Sequence, residues 1–329
     1  MLILLEKERR EIEDMLSRFK KFKCIYKEFG VIVLLKSIFS RLLRGTKGYI
    51  SFVKQFLIPY NEHALAKYQK NDSAIVMPQI IPVWILWWQG YEHMPPVCKK
   101  CYQSVKNHLP DNAKLILVTK DNYYDYVDIS PKIIEKVESG IYSITLFSDL
   151  LRNALIVKCG GFWIDSTIYC TKNIDQLFLE DLSFWSIKLM EGNSDKKSIG
   201  RSLTNCMWGG FIQKGPINSK INTLVFDALT EYMVQNNALI DYFIQNFFIS
   251  NFYDMDKSIK DAIDNIEPSN PDLYILDEIM NSQFELDKWE KICTNNTFLK
   301  LSWKHSYLME TDGGKETFFA HIMNMGEES

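Results

Sequence analysis

The chain has 329 residues, room for one large domain or two smaller ones, with 47% apolar and 24% charged residues. That is the balance of a soluble globular protein, which buries its own core without disulfide or metal staples. Net charge is −3 but unevenly spread: residues 1–70 carry 15 Lys and Arg against 7 Asp and Glu, while the remainder is acidic. A basic end on an acidic body reads as a surface-docking segment, and the absence of any nucleic-acid-binding motif in it argues against a nucleic-acid partner.

In chain order, residues 5–28 predict a charged helix, interrupted at Gly30. "VIVLLKSIFSRLLRG" follows, too short and too charged (Lys36, Arg41, Arg44) to span a bilayer. It reads either as a basic amphipathic helix on an anionic membrane surface or as a helix packed on the main domain. Residues 46–78 read as a helical connector, so residues 1–77 form a helical, basic N-terminal extension to a domain over 78–329. The pattern changes at Pro78. "IIPVWILWWQG" is a continuous apolar run ending at Gly90, as in a buried parallel strand and its loop. "MPPVCKKCYQSVKNHLP" predicts a helix, "AKLILVT" a second buried strand, and "SPKIIEKVESG" a short helix. A helix from Thr145 to Lys158 stops at Gly160-Gly161, and the strand "FWID" follows. "LSFWSIK" and "NCMWGGFIQ" are further strand candidates, and "SKINTLVFDALTEYMVQ" is a helix. Residues 236–329 are mixed. Strands alternating with helices predict an α/β fold with a mainly parallel central sheet.

The seven cysteines are odd in number and irregularly spaced, and "MLILL" is too short for a secretory signal, so reduced cytosolic thiols are expected. Cys98 and Cys101 form a CxxC, readable as a redox or zinc half-site or as two helix thiols. The 13% aromatic content, with eight Trp, fits sugar-facing surfaces and core packing equally.

In such folds ligands sit beyond the carboxyl ends of the strands. Trp88-Gln89-Gly90 and Asp165 are therefore expected to face one crevice. A lone carboxylate at the rim of an apolar strand is costly unless a metal, a ribose hydroxyl or an arginine satisfies it. Asp149 and Arg152, three apart, share a helix face and form either a local ion pair or part of the same pocket.

The runs "IPVWILWWQG", "SDLLRNALIVKCGGFWIDST" and "LSWKHSY" resemble the capsular polysaccharide synthesis glycosyltransferases, within the wider group of DXD-type sugar transferases that includes the family 32 glycosyltransferases. The resemblance covers roughly residues 78–310. It implies a GT-A fold, a UDP-sugar donor and a divalent cation, Mn²⁺ or Mg²⁺. It implies that Trp88, Gln89 and Gly90 meet the nucleotide, and that Asp149 and Arg152 hold the donor sugar. Asp165 takes the first DXD position, with Ser166 and Thr167 beside it. Lys304 and His305 approach the diphosphate or metal, His305 joining Asp165 as a metal ligand. Asp241 and Tyr242 fall near the acceptor. Thr167 replaces the second DXD aspartate, and a hydroxyl is a weak substitute for a carboxylate on a hard cation.

The activity so implied is hexose transfer, with retention, from a UDP-sugar to a growing capsular or surface polysaccharide. The acceptor would be lipid-linked and the enzyme cytoplasmic, peripheral on the inner face of the cell membrane. Two alternatives stay open: a protein-directed glycosyltransferase, and a non-catalytic sugar-nucleotide-binding component of an assembly complex.

Overall fold

The computed structural model describes residues 23–36, 38–39, 47–69, 73–188, 203 and 207–325. Most of the basic N-terminal run, including most of the helix expected over 5–28, lies outside the described residues.

The continuous apolar run Ile81–Leu86 is strand β1, and every residue in it is buried. It is central because it pairs in parallel with β2 (Ala113–Val118) on one side and with β3 (Gly161–Ile164) on the other. β6 (Ile212–Gly215) lies antiparallel to β3, and the two-residue β5 (Trp185–Ser186) lies antiparallel to β6. The order is β2-β1-β3-β6-β5, so four of the five strands point the same way. The expected mainly parallel sheet is present, and its order is compatible with a GT-A-like fold. The candidate strand at "NCMWGGFIQ" starts later than expected: residues 207–211 are irregular, and β6 begins at Ile212.

Both faces of the sheet are covered, which is why central strands β1 and β3 are apolar throughout rather than alternating, while β2 at the edge is only partly buried and keeps Lys114 exposed. Trp84 and Trp163 face one cluster; Val83, Ile85, Phe162 and Ile164 face the other. The first face carries α1 (Lys47–Tyr68), α4 (Ile144–Cys159), α6 (Lys220–Gln235) and α7 (Ile244–Met255). Between β2 and α4 lies the short α3 (Pro131–Glu138), and ahead of β5 the one-turn α5 (Gln176–Glu180). The second face carries α2 (Pro96–Asn107) and a small antiparallel sheet of β4 (Ile168–Cys170) with β7 (Phe298–Lys300). The C-terminal helix Phe318–Asn324 closes that side.

The expected boundary at residue 77 does not separate two cores. α1 buries Tyr49, Val53, Leu57, Asn61 and Ala64 at helical spacing, in the same cluster as α4, α6 and α7. Its Asn61 amide donates to the Phe248 carbonyl at 3.0 Å and accepts from Asn251 at 2.9 Å. α1 is thus a structural helix of the α/β unit, not a connector. Residues 23–36 are helical too, and the expected interruption is local: Gly30 takes φ +79, outside the helical range, and the helix resumes after it. Ile25, Phe29 and Val33 turn inward, Phe29 lying edge-on to Phe56 at 5.1 Å. Among the described residues no helix is long and apolar enough to cross a membrane.

Candidate functional site

The site begins at the corner between α4 and β3. Ser143 caps α4, accepting from the Leu146 amide at 3.2 Å, and Gly160 ends it at φ +68. Gly161 starts β3 at φ +105, where an added Cβ would lie 2.1 Å from the Pro82 carbonyl oxygen. Only glycine permits both the left-handed backbone and that approach to β1. The corner sets the α4 side chains beside the residue that follows β3, Asp165.

Arg152, buried on α4, joins the pieces. Its Nη2 lies 3.2 Å from Asp149 Oδ1 and 3.4 Å from Asp165 Oδ1, and its Nη1 donates to the Gly210 carbonyl at 2.5 Å. Its guanidinium lies over the Trp163 ring at 5.2 Å, and Trp163 Nε1 donates to Asp165 Oδ1 at 2.9 Å. Behind it, Asn153 donates to Gln245 at 3.0 Å and accepts from Asn222 at 3.0 Å, a buried polar chain that ties α4 to α6 and α7. Gly210 has to be small: a Cβ there would meet the Gln245 amide nitrogen at 2.3 Å and Arg152 Nη1 at 3.2 Å.

The second oxygen of Asp165 faces another cation. Lys300 Nζ lies 3.0 Å from Asp165 Oδ2 and 2.8 Å from Thr167 Oγ1. The pairing of β4 with β7 sets Lys300 opposite Ile168, and the Leu301 amide donates to the Thr167 carbonyl at 2.9 Å.

The two carboxylates differ electrostatically. Burial and the neighbouring charge of Asp165 push Asp149 up to about 6, against the pull of Arg152. For Asp165 burial also acts upward, but Lys300, Arg152 and the Trp163 hydrogen bond outweigh it and hold this carboxyl below its ordinary range.

The remaining expected residues fall as follows. Trp88 packs against Tyr123 and Phe147 at 5.6 and 5.4 Å, and Gly90 takes φ +86 in the turn after β1, with exposed Gln89 between them. Since β1 and β3 are parallel neighbours, this turn and Asp165 share one edge of the sheet, as anticipated. Ser166 hydrogen-bonds the Cys98 thiol, which burial pushes up to about 11. Cys98 and Cys101 are free, buried thiols of α2, so the half-site reading of the CxxC gives way to two helix thiols. Asp241 is buried and accepts from the Tyr49 hydroxyl of α1 and from the Phe243 amide, the latter at 2.8 Å. One oxygen is thus committed to α1 and the other to a turn. Tyr242 is half exposed, and its hydroxyl is raised by burial and by Asp149 and Asp165, which puts it in the field of the site.

Lys304 and His305 take other partners. Lys304 is exposed, its Nζ over the Trp303 ring at 5.7 Å. His305 Nδ1 lies 3.0 Å from Asp277 Oδ2, and Asp277 also accepts from the Tyr307 hydroxyl. The lysine that reaches Asp165 is Lys300, which sequence reasoning passed over. Its only signal was a lone cation in the apolar strand "TFLKLSW". Trp163 was likewise read only as a strand residue.

The residues do not fit the divalent cation that the resemblance implies. Among the described residues no three His, Cys, Asp or Glu side chains are grouped to hold a metal. The carboxylate and hydroxyl at the two DXD positions are bridged by an ammonium, and the other oxygen of Asp165 faces a guanidinium. One carboxylate flanked by two cations leaves little negative charge for a hard cation.

No curated protein and no solved structure matches the chain. One family model does, described as "Capsular polysaccharide synthesis protein", and it spans residues 43–322. The match takes in α1, which the resemblance over 78–310 left out, and every residue of the Asp149–Arg152–Asp165–Lys300 group. The chain belongs to the capsular polysaccharide synthesis protein family.

Proposed function

We propose that the protein is a retaining glycosyltransferase that moves a hexose from a UDP-sugar onto a growing capsular polysaccharide. The observation that carries this reading is the convergence of Asp149, Arg152 and Asp165 at the carboxyl end of parallel strands β1 and β3. That edge is where α/β folds take their ligands, and the family's role is in polysaccharide synthesis.

The chemistry follows from the charges. Breaking the anomeric C–O bond develops positive charge on the sugar and negative charge on the departing nucleoside diphosphate. Buried Arg152 is preorganised by Asp149, the Gly210 carbonyl and the Trp163 face, so no reorganisation is needed when that charge appears. Its Nε is enclosed and has no hydrogen-bond partner among the described residues. Asp165, held ionised, accepts from ribose or sugar hydroxyls. Transfer on one face of the sugar lets the leaving diphosphate oxygen take the acceptor proton, so no second carboxylate is needed as a nucleophile.

The acceptor is a lipid-linked saccharide, and the enzyme meets it while docked on the inner face of the membrane. The support is the outer face of the 23–39 segment, where Val31, Ile32, Leu35 and Phe39 are exposed beside Lys27 and Lys36. Apolar and cationic side chains on one helix face suit an anionic lipid surface.

The test is hydrolysis of a panel of UDP-sugars by the purified full chain. One donor should turn over, and Asp165→Asn and Arg152→Lys should each slow it about 100-fold or more in protein that circular dichroism shows to be folded. Failure of every nucleoside diphosphate to bind overturns the reading.

A further inference from the structure

We infer that Lys300 supplies the cation at the diphosphate that related DXD-type enzymes take from a metal, so that this glycosyl transfer is metal-independent. The inference rests on the donor-site reading above and adds to it a residue and a prediction about cofactor use.

Four observations carry it. Lys300 Nζ bridges Asp165 Oδ2 and Thr167 Oγ1, the two side chains whose spacing matches the DXD pair. The bridge is built into the fold: β7 pairs with β4, the Lys300 amide donates to the Leu273 carbonyl at 2.7 Å, and the Leu301 amide to the Thr167 carbonyl. The side chain is mostly enclosed, 20% exposed, and its ammonium lies over the Phe211 ring at 4.9 Å, so it is held rather than waving in solvent. The substitution is also chemically matched. Thr167 at the second position gives up the carboxylate a dication wants, but its hydroxyl oxygen is a good acceptor for an ammonium. A second carboxylate there would serve a metal; Asp and Thr together serve a lysine.

An ammonium carries three N–H donors. Asp165 and Thr167 take one each, which leaves one for a phosphate oxygen. In the transfer step the anomeric C–O bond to the diphosphate breaks and the electron pair leaves with the diphosphate. The acceptor oxygen bonds to the anomeric carbon, and its proton passes to the leaving diphosphate. Neither Lys300 nor Arg152 is needed as a proton donor in this step, and their two charges meet the growing negative charge from opposite oxygens of Asp165.

The experiment titrates UDP, GDP, CDP and ADP into the full-length protein by calorimetry, in EDTA and in Mn²⁺, and follows free Mn²⁺ by its paramagnetic resonance signal. Wild type should bind one nucleotide equally well in both buffers, without taking up Mn²⁺ stoichiometrically. Lys300→Met should weaken that binding roughly tenfold or more in EDTA, with no recovery in Mn²⁺. Lys300→Arg, which keeps the charge should the methionine variant fail to fold, should recover most of the affinity. Nucleotide binding that needs Mn²⁺, stoichiometric Mn²⁺ uptake, or a folded Lys300→Met that binds like wild type overturns this inference and leaves the donor site standing. No binding of any nucleotide in either buffer overturns the donor site, and this inference with it.

Discussion

Asp149 and Asp165 are two carboxylates that share Arg152, yet their environments push them in opposite directions. Asp149, raised by burial to about 6, keeps its proton in the folded protein under conditions where the unfolded chain has already lost it. Its contribution to stability therefore falls as pH rises from the ordinary carboxylate range through about 6, and is flat above that. Asp165, held low, behaves conversely: its contribution is present above the ordinary range and is lost as pH falls through its depressed value. Denaturant unfolding at about pH 5 and about pH 8 should show Asp149→Asn gaining about 1 kcal/mol relative to wild type across that interval. Donor hydrolysis should carry an inflection near 6 that the same variant lacks. A profile that keeps the inflection would assign it to another group. Asp149, Arg152 and Asp165 were legible from sequence because a helix turn and a glycine corner bring them together locally. Lys300 was not, because it meets Asp165 across a separation of 135 residues.

At the scale of elements, the helix–Gly–Gly–strand corner is the part that sequence rendered most faithfully. α4, Gly160, Gly161 and β3 fall within a residue or so of where capping and apolar patterning put them. The corner also separates two glycine roles. Gly161→Ala forces a Cβ onto the Pro82 carbonyl at φ +105, and should cost about 3 kcal/mol or more, which for a marginally stable domain means loss of the folded state. Gly140→Ala, at φ +75 in open space, bears only the backbone strain and should cost about 1 kcal/mol in urea denaturation. Equal costs at the two positions would remove the close approach as the reason for Gly161. What the patterning missed was the start of β6. "NCMWGG" is apolar enough for a strand, but Gly210 has to lie against Arg152 and Gln245, which keeps residues 207–211 irregular.

At the scale of the whole molecule, the position of α1 decides what can be removed. Its buried face belongs to the core formed with α6 and α7, and Tyr49 anchors Asp241. Truncation to residue 78 should therefore abolish cooperative thermal unfolding rather than release a stable domain; a truncated chain that melts cooperatively would restore the boundary. The helix before α1 differs, since its outer face is exposed. Ile32→Glu with Leu35→Glu should lower partition onto phosphatidylglycerol vesicles about tenfold or more, by removing apolar area from the lipid, without changing the melting temperature. Unchanged partition would mean that this face does not dock.

The amino-acid sequence by itself determined the α/β class, the parallel centre of the sheet, the glycine corner and the carboxylate at its end. All of these follow from local periodicity, turn chemistry and the cost of an isolated charge, which act over a few residues. Tertiary structure decided the rest: that α1 belongs to the core, that Asp241 takes the Tyr49 hydroxyl of α1, that His305 pairs with Asp277, and that Lys300 bridges Asp165 and Thr167. Each of these is a choice of partner between distant segments. A single lysine or histidine carries no local mark of which carboxylate the folded chain will bring to it.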